Sequence, residues 1–170
     1  SAHFSGTPIL SGDDLLHSGH RNKLVTIERL EIAADEDVAA ALNIAPGDLV
    51  TLRSGIRSFN GKPFAYQREH ILLEVGRRTL ATEQVESMLE NFQRTSGVEI
   101  AELMQEASAV AANEDVAAKL DVAVGAPVLQ IDWTGISVDG QPVLFARSRY
   151  RSDRYRHINR VPTQASRDLR

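Results

Sequence analysis

The 170-residue sequence contains no cysteine. That removes disulfides, thiolate metal sites and thiol nucleophiles together, and it agrees with a reducing cytoplasm. Long apolar runs are missing as well: nothing approaches the roughly 18 residues a spanning helix needs. Ser1–Leu10 has neither the charged start nor the apolar middle of a signal peptide, so nothing in the sequence points to a membrane. A basic surplus is also absent. The net charge is −4 and the pI about 5.7, whereas wrapping nucleic acid relies on Lys and Arg to neutralise phosphates; any DNA contact is local or made elsewhere. The length suits one domain with a tail, large enough to bury a core without staples.

What the chain has instead is an internal duplication. Glu36–Gly47 (EDVAAALNIAPG) recurs as Glu114–Gly125 (EDVAAKLDVAVG), with eight of twelve positions identical. Each copy leads into a β-branched run, a turn pair (Asn60-Gly61, Asp139-Gly140), a turn proline (Pro63, Pro142) and a second extended run. The plan is helix, strand, tight turn, strand, twice. Asp35 and Asn113 are placed as helix N-caps, with Glu36 and Asp37 favourable in the first turn of the first copy. Val38 with Leu42, and Val116 with Leu120, form the buried edges of helices too short to stand alone, which must lie on the sheet.

Taken in order, Ser1–Lys23 is loop-like; its His17-Ser-Gly-His20 lacks a third ligand and a helix to hold it, so no metal site is expected. Leu24–Ile32 alternates as a strand. On the strand Leu49–Phe59, side chains two apart share a face, so Arg53, Gly55 and Arg57 point one way and Val50, Leu52 and Ile56 the other. The two arginine stems start roughly 13 Å apart at about 3.3 Å per residue, with a glycine leaving an open floor between them. The pattern suits an anion site and suits equally a pair of arginines covering a wet face. Phe64–Leu73 returns, with Tyr66, Arg68 and His70 on one face and Gln67 and Glu69 on the other. Thr82 caps a helix carrying a Val85, Met88, Leu89, Phe92 stripe, read as core, and Gly97 ends it. Val98–Val110 is extended; its Glu99, Glu102 and Glu106 are read as a wet face, not as a catalytic pair. The second copy runs Val128–Val138 and Val143–Tyr155. Trp133 fits a core or a pocket wall equally, and Arg147, Arg149 and Arg151 are read as an exposed strand face.

Two half-similar helix–hairpin units, the second ending YRSDRY, resemble the UTRA domain, the effector-binding module of HutC-type regulators in the GntR superfamily. The resemblance rests on A-x-x-L-x-[IV]-x-x-G in both copies, on NGKP after the first strand, and on DGQP followed after seven residues by YRSDRY. It covers residues 24–160, leaving 1–23 as a leading segment and 161–170 as a tail. It implies an α+β fold of the chorismate lyase kind, chiefly an antiparallel sheet flanked by helices. It also implies a homodimer and a pocket for a small-molecule effector, with no cofactor. Operator DNA would be held by an N-terminal winged helix-turn-helix domain, which this chain lacks, so the chain reads as a fragment of a cytoplasmic regulator.

Carried over residue by residue, the resemblance is partial. Sugar-phosphate-sensing members resemble one another in an R-x-R strand six residues before the turn proline; Gly55 and Arg57 stand there, with Arg53 one strand step away. A family glutamate falls at Gln67, hydroxyl residues near the middle helix fall around Gln84 and Glu86, a second glutamate falls at Leu144, and Tyr150 is kept. Leu144 removes an acceptor and Glu86 repels phosphate. The expected ligand is therefore a less polar metabolite with one acidic group, anchored by Arg57 or Arg53 and walled by Tyr66, Phe145 and Tyr150. Two other functions fit the same residues. A chorismate lyase-type enzyme would use the arginines as a clamp, although fold similarity alone does not carry activity, and no enzyme is expected. A dimerisation module without a ligand would pair its strand edges across a two-fold axis.

Overall fold

The computed structural model of the protein describes residues 22–79, 88–159 and 161–164. The leading segment with His17 and His20, and the helix start with Thr82, Gln84, Val85 and Glu86, lie outside the described residues. In order, the elements are β1 (Asn22–Ala33), α1 (Glu36–Leu42), β2 (Leu49–Phe59), β3 (Lys62–Leu72), α2 (Leu73–Arg78), α3 (Met88–Ser96), β4 (Ile100–Ala111), α4 (Glu114–Leu120), β5 (Pro127–Ser137) and β6 (Pro142–Arg151). The strands form one six-stranded sheet in the order β1-β2-β3-β6-β5-β4 with every neighbour antiparallel. That order is the duplication made visible: two β-α-β-β units joined at their inner strands, β3 against β6, about a pseudo-two-fold axis.

The copies match at the level of single hydrogen bonds. Asp35 accepts from the Val38 N–H and Asn113 from the Val116 N–H, each at 2.9 Å. Both helices then stop at a residue in the left-handed region, Asn43 and Asp121. In both, the following turn is closed by the same exchange, Gly47 N–H to Ala34 O and Gly125 N–H to Ala112 O. The hairpins differ by one residue. Asn60 and Gly61 both have positive φ, the signature of a two-residue type I′ turn. In the second copy only Gly140 does, and Val138 is the additional residue.

The helices interlock the halves. Val38, Ala39 and Leu42 of α1 pack on Val50 and also on Phe145 of the other half. Val116, Ala117 and Leu120 of α4 pack on Val128 and reciprocally on Tyr66. Tyr66 and Phe145 are equivalent, each the third residue after its turn proline. Burying such aromatic rings contributes on the order of 2–3 kcal/mol each, which explains why helices of seven residues hold here. The opposite sheet face is covered by α2 and α3, where Phe92 meets Ile71, Leu144 and Val75. The short α2 is not foreshadowed by any apolar period. It sits so close to β2 that a Cβ on Gly76 would collide with the Thr51 side chain.

Three local expectations change. The floor at Gly55 is not open: a Cβ there would come within 2.8 Å of Val25 O, because β1, bulged between Thr26 and Glu28, lies against it. The last strand ends at Arg151 instead of Tyr155. There Tyr155 N–H bonds Arg151 O and Asp153 accepts from Arg151, turning the chain so that Tyr155 stacks on Tyr150 with centroids 4.1 Å apart. Finally, Arg147, Arg149 and Arg151 are half-buried, not an exposed face; each donates to a partner: Asp132, Gln130 and Asp153. The three glutamates of the extended segment, Glu99, Glu102 and Glu106, are exposed as expected.

Candidate functional site

Cross-strand neighbours share a sheet face, so the register sorts the candidate residues. Gly55 pairs with Gln67, Gln67 with Ser148, Arg57 with Ala65, Ala65 with Tyr150, and Arg53 with Glu69. Arg53, Arg57, Gln67 and Tyr150 therefore stand on the α2–α3 face, joined by Leu144 opposite Ile71. Tyr66 and Phe145 stand on the other face, beneath α4 and α1. The sheet separates them from the arginines, and they line no common pocket with Arg57. Glu86 lies outside the described residues.

Arg53 is engaged. Its Nε donates to Glu69 Oε2 at 2.7 Å, Nη2 lies 2.6 Å from the same oxygen, and Nη1 donates to Asn91 of α3 at 2.8 Å. Glu69 is 1% exposed, and burial pushes its carboxyl up although Arg53 pulls the other way. A buried pair of this kind fixes geometry: it ties α3 to the centre of the sheet. Two strand steps along, Arg57 is buried beside Tyr150 and Tyr155. Burial lowers its proton affinity, but a guanidinium remains charged.

Tyr150 is the hub of the polar floor. It is buried, and burial raises its pKa while the neighbouring side chains of Ser148, Arg57, Gln67 and Trp133 oppose that rise. Trp133 packs against the Phe59, Phe64, Ile131, Tyr150 and Tyr155 cluster and meets His157 edge-on at 6.0 Å. It is thus both core and wall. Leu144, where the resemblance places a glutamate, is 3% exposed and packs with Phe92 and Ile71.

Among the described residues, two acceptors on this face are buried without a partner, Gln67 Oε1 and Glu69 Oε1. Leaving such atoms unmet costs about 1–3 kcal/mol each, so they mark where a donor belongs. The face offers a buried cation, two acceptors and a tyrosine hydroxyl, suited to holding a small polar molecule. No group of three or more His, Asp or Glu that could hold a metal occurs among the described residues. Glu69, Asn91, Ser148 and Tyr155 join the site without having been expected there, whereas Trp133 fitted a pocket wall from the start. Alternation from Gln67 places Glu69 on this face, but no sequence signal brings Asn91 or Tyr155 to it.

The UTRA domain family model matches residues 17–156. The HTH-type transcriptional repressor NagR of Bacillus subtilis is 28% identical over 128 residues, 75% of this chain and 53% of that protein. The chain thus spans about half the length of this relative. Among solved structures, the ligand-binding domain of a GntR-family regulator from Bordetella bronchiseptica superposes with a TM-score of 0.75 at 23% identity, covering 85% of this chain and 91% of that one. A transcriptional regulator from Streptomyces coelicolor gives 0.73 at 28% identity, covering 80% and 90%.

Proposed function

Since this chain belongs to the UTRA domain family, we propose that it is the effector-sensing part of a transcription regulator and that the Arg57–Gln67–Tyr150 face is its effector site. The observation that carries the placement is the pair of buried, unpartnered acceptors beside a buried guanidinium and the Tyr150 hydroxyl. Chemistry of that kind fits a small acid that also carries a hydroxyl or amino donor: its carboxylate meets Arg57 in a charge-assisted hydrogen bond, and its donor meets Gln67 Oε1 or Glu69 Oε1. The apolar Leu144 and the engaged Arg53 remove two of the groups a phosphosugar would use. NagR is described as an HTH-type repressor. By analogy the whole protein would hold operator DNA through a domain outside this chain and act as a homodimer.

The test is calorimetry with a panel of small hydroxy and amino acids beside sugar phosphates, on the wild type and on Arg57→Ala. Losing a charged hydrogen bond of about 1.5–3 kcal/mol predicts a roughly tenfold or greater loss of affinity. An unchanged affinity in the variant, or tighter binding of a sugar phosphate, would discard the placement. In the complete regulator, linkage requires that an effector which weakens operator binding itself bind more weakly when operator is present.

A further inference from the structure

On the sheet face turned away from the effector site, at the join between the halves, lies a cavity of about 180 Å³. The inner strands present Arg68, His70, Arg147 and Arg149 to it, and Asp35 and Asp37 flank it from the start of α1. The duplication explains why cations gather there. Arg68 and Arg147 are each the fifth residue after a turn proline, His70 and Arg149 each the seventh. Register sets Arg68 directly opposite Arg147, so the pseudo-two-fold axis runs between two like charges.

The negative groups nearby are already spent. Arg147 holds Asp132 through two contacts of 2.8 Å and Asp37 at 3.4 Å. Asp35 caps Val38 N–H. Arg68 has Glu28 at 3.5 Å and the Tyr66 hydroxyl at 3.2 Å. Arg149 donates to the neutral amide of Gln130 at 3.1 Å, and among the described residues no carboxylate pairs with it. Burial, then Arg147, lowers its proton affinity. His70 lines the same cavity at 7% exposure, and its Nδ1 has no partner. Guanidinium donors therefore crowd the cavity beside a buried ring nitrogen that has no partner among the described residues. Ile32, Val38 and Phe145 close the apolar side and limit what fits.

We infer that this cavity is a second ligand site, separate from the effector face, and that it takes a small oxyanion, a carboxylate or a phosphate, held by Arg149 and Arg68, with His70 taking up a proton at Nδ1 as the anion enters and so becoming a third donor. A bound anion offsets the repulsion among Arg68, Arg147 and Arg149, and because it is held by both inner strands it stabilises the join of the halves. The neutral imidazole gives its one hydrogen, on Nε2, to the Phe145 backbone, so Nδ1 donates only once the ring has taken up a proton from solvent with the anion, while the guanidinium groups supply charge-assisted bonds throughout.

Titration of the chain with sodium phosphate and with sodium acetate, at ionic strength fixed by chloride near 0.15 M, tests this by calorimetry and by the ring resonances of His70. One of the two anions is expected to bind saturably and to move the His70 signals along the same curve; which one does so identifies the oxyanion. Arg149→Gln, with its fold checked by circular dichroism, is expected to bind about tenfold more weakly or worse, while Arg78→Gln, at an exposed arginine outside both sites, binds as wild type. The site is refuted if neither anion moves His70 saturably, if folded Arg149→Gln binds as tightly as wild type, or if the His70 shift survives Arg149→Gln and is lost in Arg57→Gln. The His70 readout is taken on unaltered protein, so it decides the matter even where a variant misfolds.

Discussion

At the scale of residues, the Arg53–Glu69–Asn91 contact is a positioning device. Replacing Arg53 with Met leaves the carboxylate of Glu69 buried and unpaired, and breaking a buried pair in this way costs about 3–5 kcal/mol. Urea unfolding is expected to show that loss for Arg53→Met, with much of it recovered in the Arg53→Met/Glu69→Leu double variant; equal losses would mean that the pair contributes nothing as a pair. The residue types were visible in the sequence, but the pairing was not. Arg53 meets Glu69 only because the Asn60-Gly61 turn sets a register that no single strand displays. Alternation along β3 does separate Tyr66 from Gln67, and grouping Tyr66 and Phe145 with the arginines by chemistry alone overlooks it. Glu69 likewise lay within reach of period-two reasoning, whereas Asn91 comes from a helix whose docking depends on long-range packing.

At the scale of elements, the helices and hairpins were legible because their signals are local: caps at Asp35 and Asn113, left-handed stops, and a type I′ turn. α2 was not, since its six residues carry no repeating apolar position and are held by the close approach of Gly76 to Thr51. The strand that stands out is β4. Its twelve residues form a sheet edge, exposed on both faces through Met104, Gln105, Glu106, Ala107, Ser108 and Ala109. An edge of that length presents unpaired backbone donors and acceptors, and small side chains let a second strand approach. The homodimer proposed above would find its contact along this edge. Ala107→Pro removes an N–H and stiffens the strand, so sedimentation at matched concentrations is expected to show a shift from dimer to monomer. A variant that remains dimeric removes β4 from the interface.

At the scale of the whole molecule, stability depends on the join of the inner strands, and pH acts there. His70 is pushed from 6.5 down to about 4, chiefly by burial and then by Arg68, with Asp35 opposing and Arg147 adding to the depression; Asp37 and Arg149 line the same space. The folded ring holds its proton less tightly than the unfolded one, so between those values the unfolded chain takes up more protons. Its contribution is fully present above about pH 6.5 and is lost as pH falls toward 4, on the order of 3 kcal/mol in all. Urea midpoints measured from pH 7 to pH 4 are expected to fall more steeply for wild type than for His70→Gln; parallel slopes would show that His70 does not titrate in this window.

The axis through Arg68 and Arg147 has a consequence for how such a molecule can change. In an assembly of two identical chains, a residue on the dyad faces its own copy, and any substitution alters both sides at once. Here the two sides belong to one covalent chain and vary independently. Arg147 has acquired Asp132 where the first copy has Ser54, and Arg149 stands where the first copy has His70. Within one chain the like charges on the axis can therefore be met unequally, Arg147 by two close contacts to Asp132 and Arg68 by the longer one to Glu28, a difference that two identical copies related by a dyad could not show.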